Sequence, residues 1–253
     1  MYAARVRRLT GGSCACVVAA AVLVVLLPTS AAPASLLDDV QRAATTYHEA
    51  PQRIDDVRAA LEARLAAGAD VPHLVAASRA AFLWADFRAA TPGEKIAAYE
   101  RGRDLAERAR QLAPRDPGAH FWWAVNTGRW SEAKGAWRAL TLLRSLRQEV
   151  ELVLELDPTY VDGYAFLGTM YRRLPWILGG DNVRAEAMYR KGLELDPAYT
   201  GLRVGLAKVL MATGRSGEAR VELQRVLDEK SPRNRAQWTL ENAPEAAKLL
   251  ETL

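Results

Sequence analysis

A six-residue string occurs twice in this chain and limits its fold to a repeat architecture. Residues 155–160 read Glu-Leu-Asp-Pro-Thr-Tyr and residues 194–199 read Glu-Leu-Asp-Pro-Ala-Tyr, which places the two prolines 39 residues apart. Two further prolines continue the spacing: Pro117 lies 41 residues before the first of these prolines, and Pro232 lies 35 residues after the second. A period of this length predicts a unit of two helices. Such units must stack, because one helical pair cannot bury its apolar face alone.

The segments between these strings have the period of an α-helix. Their apolar residues recur at every third or fourth position, and no alternating run of β-branched residues indicates a strand after Ser35. Turn-forming residues separate the periodic segments, as in Thr-Pro-Gly at residues 91–93. We therefore expect an all-α fold of about a dozen helices, arranged as a single solenoid domain over residues 35–253.

The unit that follows the first string has a recognisable order of large and small residues. Its first helix carries Tyr164, Leu167, Gly168 and Tyr171, and its second helix carries Ala185, Tyr189 and Gly192. This pattern resembles the tetratricopeptide repeat and implies a solenoid of helical hairpins. We expect divergent hairpins over residues 35–116, regular repeats over residues 117–232, with a longer second helix from about 132 to 155, and capping helices over residues 233–253.

The first 34 residues have the layout of a secretory signal sequence. Three arginines in the first eight residues precede an uncharged segment, residues 11–27, and residues 32–34 read Ala-Pro-Ala, with small residues where a signal peptidase cleaves. We expect cleavage after Ala34 and an exported protein of the periplasm or cell envelope. The alternative is an uncleaved membrane anchor, because residues 11–27 reach the short limit for a membrane helix.

The composition excludes several classes of function. The net charge of +4 falls to +1 without the three N-terminal arginines, so we expect no surface for nucleic-acid phosphates. Both cysteines, Cys14 and Cys16, lie in the leader, which leaves no thiol for catalysis after cleavage. The three histidines, His48, His73 and His120, lie on separate predicted helices, and no metal, nucleophile or phosphate motif is complete. We predict no enzyme activity, no metal and no cofactor.

An aromatic run is the first candidate for binding a partner. Phe121, Trp122 and Trp123 are consecutive, so one face of a helix cannot bury all three, and at least one must point sideways or into a groove. Packing between hairpins is the alternative for each of them, and it is favoured for Trp123, which occupies a repeat position.

Basic residues are the second candidate. Arg172 and Arg173 are followed one repeat later by Lys208. The resemblance to tetratricopeptide repeats places all three on the helices that line the groove, where they would hold a carboxylate. A solvated charged face is the alternative, because arginine is the commonest polar residue of the chain.

Three blocks of sequence carry a narrower resemblance. Residues 120–130 combine aromatic residues with Asn126 and a glycine, residues 156–163 follow at a similar distance, and residues 174–181 break the regular repeat. The last block contains Trp176 and the expected turn residues Gly179, Gly180 and Asp181. Together these blocks resemble the T component of TRAP-type transporters (TatT), a family of periplasmic helical-repeat proteins.

This resemblance implies partners, and the aromatic residues separately suggest a ligand. The partner would be a periplasmic solute-binding protein of an organic-acid uptake system, and the assembly would be a homo-oligomer. A small carboxylate or apolar ligand would lie in a cleft near Trp122, Trp123 and Trp176. We therefore expect an exported, non-catalytic protein that mediates protein–protein interaction. The alternative is a general cell-envelope scaffold that holds peptide segments during cell-wall or outer-membrane assembly. Contact with a membrane is expected only if the leader is uncleaved.

Overall fold

The computed structural model describes residues 35–253, and every structural statement below concerns that part of the chain. The predicted signal peptide, residues 1–34, lies outside the described residues. Residues 35–253 lie in one compact unit with its own hydrophobic core. Its described part consists of helices and short loops without a strand, which confirms the all-α solenoid that the sequence predicts.

Ten of the helices pair into five successive hairpins. The first two hairpins are α1 (Leu36–Thr46) with α2 (Arg53–Ala67) and α3 (Val71–Phe87) with α4 (Pro92–Leu112). The next three are α5 (Pro117–Ala133) with α6 (Ala136–Leu156), α7 (Val161–Arg173) with α8 (Asn182–Leu195), and α9 (Thr200–Ala212) with α10 (Ser216–Asp228). A 3-10 turn, Trp176–Leu178, interrupts the fourth hairpin. The chain ends in α11 (Arg235–Gln237), a π-helical turn (Trp238–Asn242) and α12 (Ala243–Leu250).

Capping residues in the sequence set where several helices begin. Thr91 accepts a hydrogen bond from the backbone N–H of Glu94, whose carboxylate accepts one from the backbone of Thr91 in return. Asp116 accepts a hydrogen bond from the N–H of Ala119 at the start of α5. Both helices then have a proline in their first turn, where its missing N–H costs nothing.

Small residues set how closely the helices approach one another. The ring of Tyr189 on α8 is fully buried between Gly168 of α7 and Gly205 of α9. A β-carbon added at Gly168 would lie 2.7 Å from the ring, and one added at Gly205 would lie 2.5 Å from it. Any larger residue at either position would have to push α7 or α9 away from Tyr189.

The C-terminal residues connect the two main apolar clusters of the described chain. One cluster includes Leu74 and Leu105 of the first hairpins, and the other includes Leu206 and Leu223 of the last. Ala236 of α11 is buried in the first cluster, whereas Ala246 of α12 is buried in the second. The residues that follow α10 therefore pack against both ends of the array. Within residues 35–253, no helix is both long enough and apolar enough to cross a membrane.

Candidate protein-binding groove

The first helices of the five hairpins form one continuous face of the solenoid. Contacts join α1 to α3, α3 to α5 and α7 to α9, and the ring of Phe121 on α5 lies 6.4 Å from that of Phe166 on α7. We call the surface formed by α1, α3, α5, α7 and α9 the inner face, and the second helices, α2, α4, α6, α8 and α10, lie behind it. In stacked helical hairpins such a face is the usual surface for holding another chain.

Aromatic rings occupy the middle of the inner face. The half-buried ring of Trp122 on α5 lies 5.6 Å from the ring of Phe82 on α3 and 5.4 Å from that of Phe121. The Arg79 guanidinium lies 5.7 Å from the centre of the same Trp122 ring, which is cation–π distance. This arrangement combines a flat apolar surface with a positive charge.

Arg79 supplies that charge without a carboxylate partner among the described residues. It donates a hydrogen bond of 2.6 Å to the side-chain oxygen of Gln41 on α1. Burial lowers the pKa of its guanidinium, and the negative charge of Asp162 opposes that effect. Burial also raises the pKa of the nearby Tyr160 and Tyr199 hydroxyls, which keeps both neutral. Arg79 therefore places on the inner face a cation that hydrogen-bonds to a neutral side chain.

The C-terminal segment covers part of the inner face. The Asn234 side-chain amide donates a hydrogen bond of 3.1 Å to the backbone carbonyl of Ala44 on α1. The Asn242 amide donates one of 2.9 Å to the Thr200 hydroxyl on α9. Residues 233–250, which we call the C-terminal segment, thus contact the first and the last hairpin together.

Arg233 fixes the start of the C-terminal segment. Its guanidinium lies 2.8 Å from a carboxylate oxygen of Asp162 and 3.4 Å from one of Asp196, and 4.6 Å from the centre of the Tyr199 ring. Its backbone N–H donates to the carbonyl of Ala198. These contacts hold the segment against α7 and the start of α9.

The predicted aromatic site is divided between the core and the inner face. Trp122 lies on the inner face, beside Phe82 and Arg79. Trp123 is half-buried against the larger apolar cluster, with the Arg110 guanidinium 4.6 Å from its ring. Phe121 is buried, so the structure gives it a packing role rather than an exposed binding surface.

Asn126 also has a structural role instead of the predicted contact with a partner. Its side chain is fully buried, and its amide donates to the hydroxyl and carbonyl oxygens of Ser78 and to the carbonyl of Trp122. A β-carbon at Gly102 would lie 2.4 Å from its side-chain oxygen. The amide therefore joins α5 to α3, and no surface of it is left for a ligand.

The three predicted basic residues have different surroundings. Lys208 on α9 is half-buried and lies 2.5 Å from a carboxylate oxygen of Glu245, so a carboxylate of the same chain already occupies it. Arg172 makes a long contact of 3.4 Å with the Tyr189 hydroxyl, and Arg173 is exposed. Arg172 and Arg173 end α7, and no direct contact among the described residues joins them to Lys208.

The segment around Trp176 forms an ordered turn outside the cleft that the sequence suggested. Gly179 has φ of 92°, and a β-carbon at Gly180 would lie 1.7 Å from the Leu174 carbonyl oxygen. Asp181 accepts hydrogen bonds from the N–H groups of Val183 and Arg184 and so begins α8. Trp176 itself is exposed, and no aromatic contact joins it to Trp122 or Trp123.

The histidines remain apart in the folded chain. His120 is buried and lies 2.7 Å from a carboxylate oxygen of Glu149, while His73 contacts Asp70. Within residues 35–253, no group of three or more His, Asp or Glu side chains is placed to hold a metal ion. Two clefts of about 150 and 280 Å³ lie at the surface of the described region.

Sequence reasoning missed three inner-face residues, Arg79, Tyr160 and Tyr199. The signal for Arg79 was present, because it is the sole arginine or lysine in the largely apolar helix α3. The two tyrosines follow the Asp-Pro pairs at residues 157–158 and 196–197. The sequence pattern identifies them as part of the repeat and gives no sign that they lie on the inner face.

Two family models match the chain. One, described as regulator of microtubule dynamics protein 1-3, matches residues 37–172, which is more than half of the chain. The other, described as a tetratricopeptide repeat, matches residues 177–243. The Hsp70-Hsp90 organizing protein of Triticum aestivum is 42% identical over 59 residues, which make up 23% of this chain and 9% of that relative. The chain therefore spans only a small part of that relative's length.

Solved structures resemble the chain at low sequence identity. The crystal structure of TTC0263, a thermophilic TPR protein of Thermus thermophilus, is 17% identical, with 84% of this chain and 100% of that chain covered and a TM-score of 0.61. A structure of MamA is 18% identical, with 78% and 100% covered and a TM-score of 0.47. At 17% identity, the similarity to TTC0263 supports the tetratricopeptide-type fold alone.

Proposed function

The chain belongs to the family described as regulator of microtubule dynamics protein 1-3, and from this premise we propose that it is an exported, non-catalytic protein that binds a segment of another protein on its inner face. The tetratricopeptide-type repeats support a protein-binding role, since a stacked array of this kind is a scaffold for holding other chains. The relative named for organising Hsp70 and Hsp90 is also a protein that brings other proteins together.

One observation carries the proposal: a carboxylate of the chain's own C-terminal segment lies on the inner face. Glu245 pairs with Lys208 there, and the segment that bears it also spans the first and last hairpins. Further positive charge is available at Arg79 and at the end of α7. We propose that an acidic segment of the partner binds along this face, with its carboxylates at Arg172 and Arg173 and at Lys208 in place of Glu245.

The narrower form of the proposal names the partner as a periplasmic solute-binding protein. The blocks that resemble the T component of TRAP-type transporters and the predicted leader support it. The alternative is a general envelope scaffold for cell-wall or outer-membrane assembly, which would use the same inner face. The two differ in the protein that is held, so identification of that protein separates them.

The family match also favours a second candidate, a protein that acts on microtubules. The description of the family names its members as regulators of microtubule dynamics. The predicted leader favours export, and an exported protein does not meet tubulin. Sedimentation of residues 35–253 with stabilised microtubules tests this candidate directly, and co-sedimentation would replace export with a microtubule role.

The test of the proposal is affinity capture with matched variants. Residues 35–253 are immobilised, exposed to envelope extract of the source organism, and the retained proteins are identified by mass spectrometry. The same capture is made with Arg172→Glu/Arg173→Glu. A third column carries Arg108→Glu/Arg220→Glu, which changes two exposed arginines on the second helices α4 and α10.

We expect the wild-type and control columns to retain the same partner, and the Arg172→Glu/Arg173→Glu column to retain at least about tenfold less, because like charges replace an attractive pair. A single enriched solute-binding protein supports the transporter role, whereas cell-wall or outer-membrane assembly proteins support the scaffold. Equal retention on all three columns would remove the basic end of α7 from the proposed site.

A further inference from the structure

Four large apolar side chains are almost completely exposed on one part of the solenoid. The exposed fraction is 80% for Trp137, 84% for Trp176, 73% for Ile177 and 79% for Val183. The other five tryptophans of the chain are all partly buried. Exposure of two tryptophans together is unusual for a folded domain and marks a surface that contacts something apolar.

Three of these residues, Trp137, Trp176 and Ile177, belong to one surface, formed by α6 and the turn before α8. Trp137, Leu140 and Arg144 recur at helical spacing along α6. Beside them the turn contributes Trp176, Ile177 and Leu178. A cleft of about 150 Å³ between the two elements is lined by residues from both and from α7: Leu140, Leu143, Arg144, Arg147, Met170 and Leu178. We call this surface the tryptophan ridge.

The turn holds its exposed side chains in a fixed position. The N–H of Gly180 donates to the Pro175 carbonyl, and the N–H of Asp181 donates to the carbonyl of Tyr171 on α7. The turn is also tightly packed, because there is no space for a β-carbon at Gly180. Trp176 and Ile177 are therefore presented by an ordered turn, as the side chains of a docking surface would be.

Two arginines, Arg144 and Arg147, line the cleft of the ridge. Arg144 is exposed and pairs with no carboxylate among the described residues, whereas the guanidinium of Arg138 lies 5.1 Å from the centre of the Trp130 ring on α5. Arg147 lies 3.9 Å from Glu151, the outer limit of an ion pair. Elsewhere on the described surface most arginines pair more closely, as Arg101 does with Glu62 at 2.7 Å. The matching occupant is apolar and negatively charged.

We propose that the tryptophan ridge docks the folded domain onto an anionic lipid surface. Side chains that protrude this far need no complementary pocket in a fluid bilayer, whereas a protein partner would need one for each of them. Tryptophan is favoured at the boundary between lipid headgroups and acyl chains, and arginine pairs with the headgroup phosphates. Because no described helix spans a membrane, the contact is peripheral.

This inference is independent of the proposed function. The ridge lies on α6, a second helix, and on the turn between α7 and α8, so a partner on the inner face leaves it open. Failure of the ridge to bind lipid would leave the capture experiment above unaffected, and failure of the capture would leave the ridge unaffected.

The experiment uses residues 35–253, which contain the whole described core, so that the apolar leader cannot itself bind lipid. Co-sedimentation is measured with vesicles of phosphatidylcholine alone and with vesicles that also contain phosphatidylglycerol. Tryptophan emission reports whether the rings enter the bilayer. We expect binding to the anionic vesicles with a blue shift, and binding that weakens as salt increases.

Two ridge variants and one control complete the test. Trp137→Gln/Trp176→Gln should weaken binding at least about tenfold and remove the blue shift. Arg144→Gln/Arg147→Gln should weaken it about 25-fold, from roughly fivefold for each arginine. Leu112→Ser/Arg108→Gln, a matched change at exposed positions of α4, should bind as the wild type does. Circular dichroism confirms that each variant is folded. No binding by the wild type, or undiminished binding by both ridge variants, would overturn the proposal.

Discussion

Single glycines determine how closely the helices pack, and Tyr189 shows this most clearly. Its ring fills the space that Gly168 and Gly205 leave open on two neighbouring first helices. The repeat pattern predicts Gly168 and Tyr189 as packing residues, because both occupy repeat positions. The contact with Gly205 depends on the next hairpin and is visible only in the folded chain.

Gly205→Ala should lower the free energy of unfolding by about 1–3 kcal/mol, because the added methyl group would overlap the buried Tyr189 ring. Urea denaturation followed by circular dichroism measures this change. Gly217→Ala is the matched control, since no atom lies within 4 Å of its added β-carbon, and alanine there should be neutral or stabilising. A Gly205→Ala variant as stable as the wild type would show that Tyr189 has room to move.

Asn126 marks the limit of sequence reasoning for single residues. An asparagine on a helix next to aromatic residues reads as a binding residue, whereas here its amide is buried against Ser78, 48 residues earlier in the chain. Its role depends on which residue of α3 faces it, and no local pattern encodes that pairing. The same holds for His120, whose partner Glu149 lies on the next helix.

At the scale of helices, ion pairs join neighbouring hairpins behind the inner face. Glu186 on α8 accepts two hydrogen bonds from Arg215, at 2.9 and 2.7 Å, and one from Arg190 at 2.8 Å. Burial alone would raise the pKa of the Glu186 carboxyl, but these hydrogen bonds outweigh it and hold the pKa below its usual range. The contact therefore stabilises the fold only while Glu186 is ionised.

The stability from Glu186 should depend on pH in one direction. Because its pKa is lower in the folded chain, its contribution is complete above the unfolded value of about 4.3 and is lost as the pH falls through the folded value. Glu186→Gln should cost less than about 1 kcal/mol at neutral pH, and this difference should vanish in acid. Urea denaturation of the wild type and of Glu186→Gln, at pH values from about 3 to about 7, measures this difference in the free energy of unfolding. Glu251→Gln, at an exposed carboxylate, is the control, and a difference that persists in acid would contradict the account.

The sequence also predicts helices better than it predicts their long-range contacts. The Asp-Pro strings and the aromatic, small and proline positions locate α7 to α10 closely, because each depends on residues within one repeat. The expected long helix at about 132–155 begins later, at Ala136, since Gly135 has φ of 118° and ends the preceding turn. The return of the C-terminal segment to α1 had no local signal, as Asn234 and Ala44 are separated by 190 residues.

At the scale of the whole molecule, the C-terminal segment links the two ends of the array. It buries Ala236 among the first hairpins and Ala246 among the last, and it places Glu245 on the inner face. The inner face, which is the proposed binding surface, is therefore partly covered by the chain's own C-terminal segment. A partner that carries carboxylates would compete with that segment for Lys208.

Hydrogen–deuterium exchange of residues 35–253, with and without the captured partner, tests this claim most directly. The account predicts slower exchange in α5, α7 and α9 when the partner binds, together with faster exchange around Glu245 as the C-terminal segment is displaced. The Arg172→Glu/Arg173→Glu variant should show neither change at the same partner concentration. Protection confined to the second helices α4, α6, α8 and α10, with the C-terminal segment unchanged, would contradict it.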